Sequence, residues 1–203
     1  MTRSTLGDDD LLRLVSLGDQ DAFLGLYRRH QGGVYRFALH MSGDAGLAEE
    51  VTQEVFLQRI RNPRLYEPER GTLAALLYGI ARNLVLHGIE RNKRYLPWLE
   101  DAMENEPREG ADASFIGVED PLADLARAET IERVRQAVLA LPTAYREVVV
   151  LCDLEELDYN QAAQTLGCPV GTVRSRLHRA RALLMTKLRA LQQGEVGIHR
   201  DQT

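Results

Sequence analysis

This 203-residue chain is poor in the residues that staple small folds. It has two cysteines, one tryptophan, four phenylalanines and seven tyrosines. Cys152 and Cys168 form no CxxC pair and match no zinc-ligand spacing, so no disulfide framework and no structural metal site is expected. Two buried thiols are the plainer reading, because a free cysteine behaves as a small hydrophobe. No apolar run approaches the ~20 residues that cross a bilayer, and MTRSTLGDDD at the N-terminus lacks the layout of a signal peptide. A cytoplasmic protein without direct membrane insertion is expected. GxxxxGK[ST], GxSxG and HExxH are all missing. The five histidines (30, 40, 87, 178 and 199) do not cluster, and none has a carboxylate at catalytic spacing. These gaps argue against an enzyme and against any metal or cofactor.

Strand-type alternation is also missing, while helical periodicity runs through most of the chain. The pattern predicts helices over 8–17, 19–30, 33–41, 45–61 and 72–94, then over 121–140, 144–151, 159–166 and 171–191, with the last ten residues frayed. Asp19 suits an N-cap, and Asn62-Pro63 ends the fourth helix because the residue before proline is pushed out of the helical region. The expected fold is all-α: two small helical domains, 8–95 and 121–192, joined by a flexible linker over 96–120.

Charge is segregated along the chain. The formal net charge is −5, yet Leu96–Asp120 alone holds eight acidic residues and one basic one, which leaves the remainder near +2. Conversely, Gln161–Gln193 contains six Lys/Arg and no Asp or Glu. Within it, CPVGTVRSRLHRAR carries four arginines and a histidine. A solvated helix face usually mixes signs, so an acid-free stretch of this length points to an anionic partner.

A short helix over 159–166, a Gly167-Cys168-Pro169 turn and a longer basic helix make helix-turn-helix grammar, in which the second helix enters the DNA major groove. At about 100° per residue, Val173, Leu177, Ala180 and Leu184 form one apolar stripe. Arg174, Ser175, His178, Arg179 and Ala182 cover the opposite arc. Arg176 and Arg181 flank the stripe, where they suit phosphates or intramolecular carboxylates better than base edges. Arginine reads guanine through paired hydrogen bonds, and the helix N-terminus around Thr172 favours a phosphate.

The stretch LPTAYREVVVLCDLEELDYNQAAQTLGCPVGTVRSRLHRARALL resembles the C-terminal domain of bacterial RNA polymerase sigma factors of the extracytoplasmic-function group. The resemblance implies that this domain reads the upstream promoter element, the −35 box, with contacts from Thr172, Arg174, Ser175, Arg176, His178 and Arg179. Two departures stand out. Asn160-Gln161-Ala162 replaces two acidic residues and an isoleucine, and Glu156 replaces a common glycine.

In the first half, AEEVTQEVFLQRI (48–60) resembles the family's core-polymerase-binding helix. With Leu47, Val51 and Val55 turned inward, Glu50, Gln53, Glu54 and Leu57 remain for a partner. The resemblance makes that partner the clamp of the polymerase β′ subunit, although a solvated amphipathic face fits the residues as well. YEPERGTLAALLYGIARNLVLHGIERNKR (66–94) resembles the promoter-melting segment. It implies a pocket for the downstream element, the −10 box, from Tyr66, Arg70 and Asn83, with backbone contacts from Arg82, Arg91, Asn92, Lys93 and Arg94. Leu76 stands where the family has tryptophan. By the same resemblance the acidic linker threads the polymerase cleft, its carboxylates following a channel normally held by nucleic acid; a soluble spacer is the simpler alternative.

The expected function is that of an alternative sigma factor: a transcription initiation factor that binds core RNA polymerase and directs it to promoter DNA through the −10 and −35 elements. An anti-sigma factor is an expected further partner. A standalone helix-turn-helix regulator, with the first half as a sensor or dimerisation domain, is the alternative; it would bind a two-fold symmetric site without polymerase.

Overall fold

Asp19 begins the long second helix as expected, its carboxylate accepting a hydrogen bond from the Ala22 amide at 3.0 Å. In the computed structural model, which describes residues 6–61, 71–95 and 121–198, every regular element is helical. The order is α1 (Asp8–Ser16), α2 (Gln20–Ser42), α3 (Ala45–Arg61) and α4 (Leu73–Tyr95), then α5 (Pro121–Leu139), α6 (Thr143–Val149), a π-helical turn over Val150–Leu154, α7 (Tyr159–Leu166) and α8 (Val170–Ile198). The linker expected over 96–120, Tyr66 and Arg70 lie outside the described residues.

Two boundaries differ most from the sequence expectation. The Gly32-Gly33 pair does not divide two helices; α2 runs through it to Ser42. Leu26, Val34, Phe37 and Met41 form one buried stripe along α2 that tolerates no break. Gly33 serves instead as a notch, since a Cβ there would lie 2.5 Å from the Tyr78 hydroxyl. The helix ends at Gly43, whose φ of 73° is the left-handed cap that glycine adopts without steric cost. At the other end of the chain, α8 continues to Ile198, past the expected stop at Leu191.

Helices α1–α4 form one body and α5–α8 a second, and the two share a continuous apolar cluster. In the first, α2 packs on α1, α3 and α4, with Tyr27 and Phe56 edge-to-face at 4.8 Å. Asp8, in the first turn of α1, is shared by Arg29 (2.5 Å) and His30 (2.8 Å) of α2. His30 therefore does have a carboxylate neighbour, one that ties two helices together. In the second body α8 packs on α5, α6 and α7.

Candidate nucleic-acid and polymerase interfaces

The helix-turn-helix unit is built by local chemistry. Asp158 caps α7, accepting from the amides of Asn160 (2.8 Å) and Gln161 (2.9 Å), and the Asp158 amide in turn donates to Gln161 Oε1 at 3.1 Å. This is a complete capping box, so the glutamine that departs from the family pattern has a structural use. Ala162, the smaller residue after it, is fully buried. Gly167 closes α7 at φ 61°, and Pro169 opens α8 by accepting from the amides of Thr172 and Val173.

On α8 the apolar stripe faces the core: Val173, Leu177 and Ala180 are buried and Leu184 packs partly against them. Arg174, Ser175, His178 and Arg179 are exposed, with Thr172 and Arg176 half-buried beside them. The Arg174 guanidinium lies 5.7 Å from the ring centroid of Tyr159, a cation–π contact that restrains it across the turn. Ser175 donates to the Thr172 carbonyl at 3.1 Å. Arg181 takes the intramolecular option, pairing with Asp153 through bonds of 2.6 and 3.1 Å. From Thr172 to Arg189 the outward arc of α8 thus presents cations without a carboxylate among them.

On α3, Leu47, Val51 and Val55 are buried, as are Ala48, Thr52 and Phe56. Glu50, Gln53 and Leu57 are exposed and Glu54 half-buried, with Leu57 keeping 42 % of its surface in solvent. Beside this face a groove of about 160 Å³ runs between α3 and α4, lined by Leu47, Val51, Glu50, Glu54, Leu84 and Arg91 among others. Arg91 spans it and donates to Glu50, with a shortest separation of 2.9 Å. Two residues assigned to different partners are thereby joined.

On α4, Asn83 is exposed and Asn92 half-buried, while Lys93 and Arg94 lie on the last turn of the helix. Arg82 is engaged within the chain, its Nε donating at 2.8 Å to Glu147 of α6. Leu76 packs partly against the core in place of the family's tryptophan.

A further cluster carries no role in the motifs. Glu155 accepts from Arg36 at 3.1 and 2.9 Å and from the Tyr78 hydroxyl at 3.0 Å. Burial pushes the Glu155 carboxyl above the ordinary carboxylate range, against the opposing pull of Arg36 and Tyr78. Nearby, Arg146 has three carbonyl acceptors, those of Met41, Leu139 and Leu141, and burial lowers its pKa. Among the described residues, no cluster of three or more His, Cys, Asp or Glu could hold a metal, and no helix is long and apolar enough to cross a membrane.

Residues 26–95 match the Sigma-70 region 2 family model and residues 131–184 match Sigma-70 region 4. The ECF RNA polymerase sigma factor SigW of Bacillus subtilis (strain 168) is 33% identical over 186 residues, covering 89% of this chain and 96% of that protein. The chain belongs to the sigma-70 family. Its place is in the extracytoplasmic-function group of sigma factors, as an alternative sigma factor of transcription initiation. The ECF RNA polymerase sigma factor SigE of Mycolicibacterium smegmatis (strain ATCC 700084 / mc(2)155) is 37% identical over 172 residues, 82% of this chain; the match spans 63% of that longer relative. Among solved structures, CnrH in complex with the cytosolic domain of CnrY matches with a TM-score of 0.66 at 25% identity, covering 90% of this chain and 97% of that one. The sigma factor RpoE of Bartonella quintana, solved with the anti-sigma factor NepR, has the same fold, with a TM-score of 0.61 at 22% identity over 78% of this chain and 91% of that one.

Proposed function

We propose that residues 8–95 bind core RNA polymerase and read and melt the downstream promoter element, that 121–192 read the upstream element, and that 96–120 link the two. In this reading Glu50, Gln53, Glu54 and Leu57 meet the β′ clamp, an acidic-polar face around one exposed leucine. Tyr66, Arg70 and Asn83 hold the unstacked downstream bases, the first by aromatic stacking. Arg82, Arg91, Asn92, Lys93 and Arg94 follow the phosphates. Arg174, Ser175, His178 and Arg179 face upstream base edges, and Thr172 and Arg176 the adjoining phosphates.

The observation that carries this reading is the acid-free outer arc of α8 from Thr172 to Arg189, set behind the capped helix α7 in the same chain as the exposed α3 face. Tethering two weak DNA readers on one polymerase raises their effective concentration, so neither needs high affinity alone. An anti-sigma factor is the proposed further partner, on the family resemblance and on CnrH having been solved with the cytosolic domain of CnrY. The test is run-off transcription with core polymerase, alongside gel shifts with and without it. Promoter-specific transcripts that need this chain are expected; tight polymerase-independent binding to a palindrome would favour the standalone regulator instead.

A further inference from the structure

The end of α2 gathers basic side chains whose donors are only partly used. Arg36 and His40 lie one turn apart on the same face of α2, and α5 and α6 both pack against that helix. Arg146 of α6 donates to the carbonyl of Met41, the residue after His40, and to that of Leu139, one turn beyond Arg135 of α5. Three nitrogens in this corner, His40 Nδ1, Arg135 Nε and Arg146 Nε, are out of reach of solvent and make no hydrogen bond with the described residues. The nearby carboxylates are engaged elsewhere. Glu155 is held by Arg36 and Tyr78, Glu132 meets Arg135 through Nη1, and Asp44 caps α3 at the Leu47 amide. Arg146 itself rests on carbonyls alone among the described residues.

We propose that this corner binds one small monovalent inorganic anion of the halide class, held by His40 Nδ1, Arg135 Nε and Arg146 Nε. Buried polar groups in folded proteins are nearly always partnered, by an ordered water or ion where the chain supplies nothing. A water would accept from these donors but bring no charge, and its own protons would have to share the Met41, Leu139 and Leu141 carbonyls with Arg146. The carbonyl ends of α2 and α5 favour a cation, but with partial charge only. Room is short as well: a Cβ on Gly43 would lie 2.9 Å from the Leu139 side chain, so α2 and α5 meet too closely for an oxyanion of phosphate size.

The electrostatics of the corner agree. Burial, then Arg135 and Arg36, holds the His40 imidazole below its ordinary pKa, and burial lowers that of Arg146. Both directions mark positive charge that lacks a counter-charge, and an anion among these groups opposes them by favouring the protonated forms. Such a site stands apart from the promoter and polymerase assignments, since none of its three residues belongs to them. An ion that binds the folded chain and not the unfolded one stabilises it by mass action.

Thermal unfolding of the full-length chain in potassium chloride and in potassium gluconate, at equal ionic strength, tests the site. Chloride at about tenfold its Kd should raise the midpoint by about 3–6 °C over gluconate, and bromide should do the same. His40→Leu and Arg135→Gln should each remove that difference, with circular dichroism checking helix content. A second readout is the NMR titration of the His40 imidazole, which should occur at higher pH in chloride than in gluconate; a histidine with a packing role alone titrates alike in both. If both variants unfold, the wild-type titration decides. Equal midpoints and equal titrations in the two salts would overturn the site and leave the corner to water. Stabilisation by potassium phosphate with none by chloride or bromide would overturn the halide assignment. A chloride effect that survives in both folded variants would put the ion elsewhere and overturn the site as well.

Discussion

Arg91 of α4 and Glu50 of α3 face each other across a groove, with 2.9 Å between guanidinium and carboxylate and about half of each side chain in solvent. An exposed pair of this kind contributes about 0–1 kcal/mol. Arg91→Ala should therefore leave the thermal midpoint within a few degrees of wild type. A larger fall in transcription than in stability would assign Arg91 to DNA or polymerase; parallel losses would make it structural.

The exposed face of α3 makes a sharper prediction. Leu57→Ala and Glu54→Ala should each weaken association with core polymerase, Leu57 by up to about tenfold if its exposed surface is buried there at ~25 cal/mol per Å². Surface plasmon resonance against immobilised core polymerase measures it. Unchanged affinity in both variants would remove this helix from the interface.

On α8 the arginines should separate by role. Arg174→Ala and Arg179→Ala should each reduce promoter-specific transcription by about 5- to 150-fold, the range of 1–3 kcal/mol for a base contact, with core binding intact. Arg181→Ala should do much less, because Arg181 is engaged with Asp153. Tyr159→Ala should give a smaller loss than Arg174→Ala, since it removes only the ring that restrains the guanidinium. Equal losses at Arg174 and Arg181 would contradict the division of the helix.

Glu156 adopts φ 57°, a left-handed conformation that costs a non-glycine residue roughly 1–2 kcal/mol. Glycine, common at this position in the family, would relieve that strain but lose more chain entropy on folding. Glu156→Gly should accordingly raise stability by a net of about 0.5–1 kcal/mol, read by urea denaturation. A destabilised variant would show that the Glu156 side chain makes up for its backbone.

Cys152 bears on redox chemistry. Burial, then the neighbouring Asp153 carboxylate, pushes its thiol from 9.0 up to about 11. At pH 8 the folded chain should hold roughly a hundredfold less thiolate there than an unperturbed thiol, with alkylation slowed accordingly. Because the folded pKa is the raised one, the contribution to stability is complete below about pH 9 and is lost as the pH rises through about 11. Fast alkylation of Cys152 in the native protein at pH 8 would contradict this.

Much of the molecule was legible because its signals are local. The stripe Val173–Leu177–Ala180 follows from a 3.6-residue period, and Asp19 and the turn at Gly167 follow from cap chemistry. The Gly32-Gly33 pair misled because glycine marks both a break and a close approach, and only the position of Tyr78 tells which. The intramolecular partner of Arg82 was hidden for a related reason: Glu147 lies 65 positions away, and no period links them. Longer separations, 119 and 77 positions, hide the contacts of Glu155 with Arg36 and Tyr78, residues that no motif singles out. Glu156 was visible as a departure from pattern, but its meaning needed a backbone angle.

Arg146 gives the junction a particular mechanical character. Its guanidinium rests on three carbonyls, two from its own body (Leu139 and Leu141) and one from the end of α2 (Met41). If the bodies part, it keeps two anchors and stays folded in place, while the Met41 carbonyl passes to water. Such a contact can be made and unmade without rebuilding either side, as a ball returns to a socket that has kept its shape.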